Sequence, residues 1–412
     1  MRPLPILLLA ALLTSAQAAT LRVKPGASLQ QAISAAQPGD VLEIERGLYQ
    51  GNFIVDKPLT LRGINRPTLS GALQGDTVRV TASDVTIEGL IVRDSGDSLK
   101  DQNAGIYLRP GAHRAVVRHC DLTYNLFGLW IEKANDVLIE GNLITGKREY
   151  NSPQRGNGIQ LYNTTGARII GNNISFVRDA LYVDVSHQAI FRGNKLHHSR
   201  YGTHYMNSYH NLWEDNDSYY NRGGLALMEV RDQVVRNNRA WGNSDHGIML
   251  RTLQDSVIEN NVVAGNARGF FIYDVEYATL RNNLVVDNQV GVHLAAGSTR
   301  NVVEGNDFIA NREQVRYVGA RDEVWGRQQR QPLEQLPGLG PRRQRHRRCA
   351  LRGQRHSGPP DLALPQYQAA AGQSRSTGAA PGGPAIPAAA RAQRGGPQAA
   401  HATHPHAMES MA

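Results

Sequence analysis

The sequence predicts an all-β chain: a right-handed parallel β-helix with coils of about 22 residues, opened by a short N-terminal capping helix. Three observations predict it. An asparagine recurs at Asn142, Asn173, Asn194, Asn216, Asn238, Asn261, Asn283 and Asn306, with one interval of 31 and then steps of 21, 22, 22, 23, 22 and 23. A glycine followed by apolar-x-apolar recurs with the same period at Gly105, Gly128, Gly158, Gly202, Gly224, Gly247, Gly269 and Gly291, and Ala180 takes the place once. Between these columns apolar and polar residues alternate in short runs, as they do in strands covered on one face.

Taken in order, the first 18 residues, MRPLPILLLAALLTSAQA, join one Arg to an apolar run from Leu4 to Leu13 and end in Ala16-Gln17-Ala18. This is the pattern of a secretory signal peptide cleaved after Ala18. The run is too short to span a bilayer and no later stretch is apolar enough to do so, so an exported, soluble protein is expected. Its two cysteines, Cys120 and Cys349, are too few for a disulfide framework.

Residues 19–326 are expected to form the solenoid. "SLQQAISAA" has a helical apolar pattern with Ser28 as N-cap, and a helix there would cover the open edge of the first coil. The coil between Gly128 and Gly158 is long and carries the polar stretch "GKREYNSPQRGN", which must bulge out as a loop. The repeated asparagines read as architecture. Stacked Asn side chains hydrogen-bond to one another and to turn backbone, and Asn and Gly tolerate the left-handed conformation of tight corners. Cys120 lies 22 residues before Asn142 and so reads as a small buried thiol in the same column.

The formal net charge of +9 would suggest nucleic acid, but its location excludes that reading. Residues 327–412 hold twelve Arg, no Lys and three acids (Glu334, Asp361, Glu409), whereas residues 1–326 hold 33 basic and 33 acidic side chains. The tail also lacks Val, Asn, Phe, Trp and Lys. It reads either as a disordered low-complexity extension or as out-of-frame translation. Back-translated with chosen codons and shifted by one base, Arg343 to Ala350 becomes GNGIGDV, with the apolar content of folded protein. On that reading Cys349 and the tail histidines carry no function, and the C-terminal cap of the solenoid is lost.

Strand alternation sends one set of side chains outward. Coil by coil this set is Tyr107 and Arg109; Trp130 and Glu132; Gln160 and Tyr162; Tyr182 and Asp184; His204 and Met206; Ala226 and Met228; Met249 and Arg251; Phe271 and Tyr273; then His293. Aromatics and methionines on a sheet face mark a binding stripe. Of six methionines, Met1 leaves with the signal and Met408 and Met411 lie in the tail; the other three share this face with His204. Thioether and imidazole donors favour Cu(I), so His204, Met206, Met228 and Met249 are candidate metal ligands, with Met206 and Met228 stacked in one column. The bland alternative is an adaptable apolar docking surface. The aromatics also suit sugar rings, which leaves a secreted polysaccharide lyase or glycoside hydrolase open. Its best acid pair, Glu132 and Asp184, lies two coils apart, near the top of the inverting range. His197, His210 and His246 read as ordinary surface or loop histidines.

The segment from "NAGIYLRPGAHRAVVRHCDLTYNLFGLWIEKANDVLIEGN" through "YGTHYM" and "GGLALM" resembles the NosD family over residues 20–326, and the shifted-frame tail resembles that family's ending. The resemblance implies a non-catalytic periplasmic accessory protein for the copper–sulfide centre of nitrous oxide reductase. Its partners would be the membrane and ATPase subunits of an ABC transporter, a copper-chaperone lipoprotein and the apo-reductase. It would be a transfer or docking module that receives copper, as transient Cu(I), or a sulfur species, or the apo-reductase itself.

Overall fold

The repeat builds three parallel sheets. In the computed structural model, which describes residues 18–326, the chain runs through 38 short strands in one 14-stranded and two 12-stranded sheets. The signal-peptide reading before Ala18, the reading-frame expectation for 327–412 and the C-terminal cap lie outside the described residues. Each strand pairs with its counterpart one coil later. Val116–Arg118 joins Leu138–Glu140 in the first sheet, Leu143–Gly146 joins Asn173–Ser175 in the second, and Phe127–Glu132 joins Ile159–Tyr162 in the third. Alternating residues point inward, as Leu129 and Ile131 do, and fill one apolar core running from Val23 to beyond Val303.

The helix Leu29–Ala35 forms where expected, with Ser28 Oγ accepting from the Gln31 N–H at 3.3 Å and Leu29 and Ile33 buried. Phe53–Val55 is the end strand of the third sheet. The Gln30 amide takes the place of its missing neighbour. It accepts from Ile54 N at 2.8 Å and donates to Ile54 O at 3.2 Å, so an edge that would template aggregation is satisfied.

The corners divide labour between two adjacent residues. The first is left-handed: Gly141, Gly171, Gly193, Asp215, Asn237, Asn260, Asn282 and Gly305 all have positive φ. The second is the ladder asparagine. Asn238 Oδ1 accepts from Asn216 N and Nδ2 at 3.0 and 2.9 Å, and the Asn238 amide donates to Asn261 Oδ1 and to the Trp213 carbonyl. This explains the repeated Asn-Asn pairs. It also corrects one assignment: the ladder member is Asn172, because Gly171 takes the left-handed corner and Asn173 opens the next strand. A second ladder that the alignment missed runs through Asn221, Asn243, Asn266, Asn288 and Asn311. Cys120 N–H donates to Asn142 Oδ1 at 2.9 Å, and burial pushes the thiol up to about 12, as a structural cysteine requires.

The glycine column has a different cause. A Cβ at Gly128 or Gly158 would lie 2.6 Å from the carbonyl oxygen of Gly158 or Ala180 on the next coil, so close approach of the coils excludes one.

Candidate functional site

The outward residues of the third sheet fall into two continuous rows. One runs Tyr107, Trp130, Gln160, Tyr182, His204, Ala226, Met249, Phe271, His293; the other runs Glu132, Tyr162, Asp184, Met206, Met228, Arg251, Tyr273. The register therefore puts Met206 beside Met228, about 4.8 Å apart at backbone level. Met249 belongs to the His204 row.

The N-terminal end of the stripe is not open, which corrects its reading as a stacking surface. Tyr107 and Trp130 are 2% and 7% exposed, packed with Ala104, Leu126 and Phe127 in a small cluster outside the main core. The segment before Asn103 and the loop 147–157 close over this end. Gln102 reaches the Tyr107 hydroxyl, and Gly156 lies against the Phe127 ring. The buried Lys147 ties the two segments together by pairing with Asp97 and donating to Ser95 O at 2.9 Å. Sequence alternation gives direction, but not what lies above a face.

The remaining face narrows to one spot. Ala226 points outward yet is 0% exposed. His204 and Met249 flank it on the neighbouring strands, Met228 follows it by two residues, and Met206 stands diagonally. Register therefore sets three methionines and one histidine around a covered alanine. Met206 and Met228 are half-buried and Met249 is 9% exposed, while Arg251 and Tyr273 beside them are exposed.

His204 is held from behind by residues that the sequence reading did not select. Asp179 is completely buried and receives Arg200 Nε at 2.9 Å and Nη2 at 2.5 Å. His204 Nδ1 lies 3.2 Å from Asp179 Oδ2. His204 Nδ1 lies equally 3.2 Å from Arg200 Nη2, so Asp179 and Arg200 together fix the ring at Nδ1 and turn Nε2 away from them. Burial alone would raise the Asp179 carboxyl, but the bonds from His204 and Arg200 outweigh it and hold it below the ordinary carboxylate value. A carboxylate-oriented imidazole sharing a sheet face with three methionines has the chemistry of a soft-metal ligand set. The residues present fit Cu(I). Among the described residues no three His, Cys, Asp or Glu side chains gather into a harder site.

The family model described as "Periplasmic copper-binding protein (NosD)" matches residues 140–334, a span that contains this spot. A protein of Stutzerimonas stutzeri named "Probable ABC transporter binding protein NosD" is 32% identical over 294 residues, covering 68% of this chain and 67% of that protein. One of the same name from Pseudomonas aeruginosa is 33% identical over 293 residues, covering 68% of each.

The chain belongs to the NosD family.

Solved structures extend this at the level of fold alone. A Yersinia enterocolitica family 28 exopolygalacturonase aligns with a TM-score of 0.54 at 12% identity, covering 76% of this chain and 79% of that one. Dettilon tailspike protein aligns with a TM-score of 0.52 at 12% identity, covering 70% and 63%. In this NosD-family chain the acid pair of the glycoside-hydrolase alternative is poorly placed. Glu132 and Asp184 are separated by Tyr162, and Glu132 already accepts from the Tyr107 hydroxyl at 2.7 Å. No helix among the described residues is long and apolar enough to cross a membrane.

One of the three histidines read as ordinary surface or loop residues is not so placed. His246 is 1% exposed, packed against Gly223, where a Cβ would sit 2.5 Å from its Nε2. His197, half-buried at the end of a surface strand, stacks on Tyr219 at 4.8 Å and donates from Nε2 to Asn173 Oδ1 at 2.9 Å. His210 is exposed, as expected. Burial lowers the proton affinity of His187, His197, His198, His246 and His293, taking His197 to about 4. Their folded values lie below the unfolded value of about 6.5, so the stability they confer is complete above that pH and declines as pH falls beneath it. The urea midpoint of this NosD-family protein is therefore expected to drop between pH 7 and pH 5, with a shallower drop in His197→Gln. A pH-independent midpoint would remove these rings as the cause.

Proposed function

We propose that this protein is a periplasmic, non-catalytic accessory factor that receives Cu(I) on the third sheet and passes it on in assembly of the copper–sulfide centre of nitrous oxide reductase. Its partners on this reading are the membrane and ATPase subunits of an ABC transporter, a copper-chaperone lipoprotein that supplies the metal, and the apo-reductase that takes it. The family description and the names of the two relatives support copper, periplasm and transporter. The observation that carries the site is the ring of His204, Met206, Met228 and Met249 over Ala226. Thioethers select Cu(I) over harder ions and hold it weakly enough for release, while Asp179 fixes the imidazole. The exposed Arg251 and Tyr273, with Tyr182, Asp184, Phe271 and His293, would form the rim that a delivering or receiving protein contacts.

Anaerobic titration of Cu(I) against a competing chelator is expected to show one tight Cu(I) per chain. A Met206→Leu/Met228→Leu/Met249→Leu variant keeps the apolar volume and should bind at least about 100-fold more weakly, a loss at the top of the range for disturbing even a supporting residue. Equal behaviour of the two proteins would make the face a docking surface rather than a copper site.

A further inference from the structure

The loop 147–157 and the corner that leads into the third sheet enclose a cleft of about 600 Å³, separate from the methionine ring. Its floor is basic. Arg178, Arg200 and Arg222 recur every 22 residues and so come from three successive coils, and Arg155 adds a fourth guanidinium from the loop. Arg148 sits 3.9 Å over the Phe176 ring at the same edge. Phe176, His198 and Tyr220 form an aromatic wall, with Phe176 and His198 stacked at 5.0 Å and Tyr220 edge-on to His198 at 5.6 Å.

Among the described residues, Arg200 is the one lining arginine in an ion pair, with Asp179. Among the described residues neither Arg178 nor the exposed Arg222 makes a side-chain hydrogen bond or ion pair, and Arg155 donates from Nη2 to Arg148 O at 2.8 Å while its Nε is buried without a partner. Like charges repeated at the same corner of successive coils repel one another, and a body whose charges otherwise balance has no general need of them. Arg155 is moreover desolvated, which lowers its proton affinity. Such a cluster is stable in proportion as an anion neutralises it, and guanidinium forks match carboxylate and phosphoryl oxygens in pairs.

We propose that this cleft binds a ligand carrying at least two carboxylate or oxyanion groups, held by Arg155, Arg178 and Arg222 and laid against the Phe176–His198–Tyr220 wall. The column spans two coil steps, about 10 Å along the solenoid axis, which favours an extended oligoanion over a single small ion. The site uses none of the metal-ligand residues, and its failure would leave the copper reading untouched.

The test is binding of inorganic pyrophosphate by calorimetry, and of a fluorescent hexaglutamate peptide by anisotropy, to the full chain at low salt. Saturable binding of either is expected; pyrophosphate alone would assign a free oxyanion, and the peptide alone an acidic protein segment. Arg178→Gln/Arg222→Gln should weaken it at least about tenfold, each charge-assisted bond being worth roughly that much. It should fold as well as the parent, since it relieves repulsion. Arg46→Gln/Arg312→Gln removes the same charge from exposed positions on distant coils and should change affinity less than about twofold, as screened surface charges do. Absence of saturable binding to both probes, or equal weakening by the two double variants, would overturn the assignment.

Discussion

Replacing Arg200 by glutamine is expected to destabilise the protein by about 3–5 kcal/mol, because it strands the Asp179 carboxylate in the interior without its counter-charge. Asp179 is wholly buried, and its bond to His204 cannot replace a guanidinium that grips both oxygens. The sign with pH follows from its lowered carboxyl. That stabilisation is present above the unfolded value of about 3.9 and is lost as pH falls through the lower folded value, so the gap between parent and variant should close below about pH 4. Urea denaturation at pH 7 and pH 3.5 reads both. Hydrogen exchange should place the loosening in the coils carrying Asp179, Tyr201 and Gly223, since each coil contacts chiefly its neighbours. A loss under about 1 kcal/mol at pH 7 would mean that the pair behaves as a surface ion pair.

Asn238→Ala should cost about as much, at least about 3 kcal/mol. It leaves the Asn216 N–H, one Asn216 amide hydrogen and the Trp213 carbonyl without their partner in a dry interior, at about 1–3 kcal/mol each. The neighbouring asparagine gives the contrast. Asn237 is exposed and left-handed at φ 57°, so Asn237→Gly should stay within about 0.5 kcal/mol of the parent. Thermal and urea unfolding of both variants would separate ladder from corner. Equal losses would contradict this division, and with it the explanation of the Asn-Asn repeat.

That repeat shows how far the chain could be read before any tertiary structure. A period near 22 with alternating runs fixes parallel coils, inward and outward faces, the N-terminal helix and the bulged loop, because each follows from local geometry. The ladder was misplaced by one residue at Asn172, where Gly-Asn-Asn leaves two asparagines equally eligible until the left-handed corner is located. The second ladder and the arginine column have the same period, but they lie at a corner outside the two aligned columns.

The sequence by itself determined the solenoid, the methionines' shared face and the stacking of Met206 on Met228, since register in a strict repeat is arithmetic. Only the tertiary structure decided that Tyr107 and Trp130 are roofed, that Asp179 and Arg200 brace His204, that His246 is buried, and that the outward Ala226 is covered. The physical reason is the same in each case. Backbone periodicity sets where a side chain leaves the coil, whereas its cover, its charge partner and its solvent depend on loops and corners that follow no period.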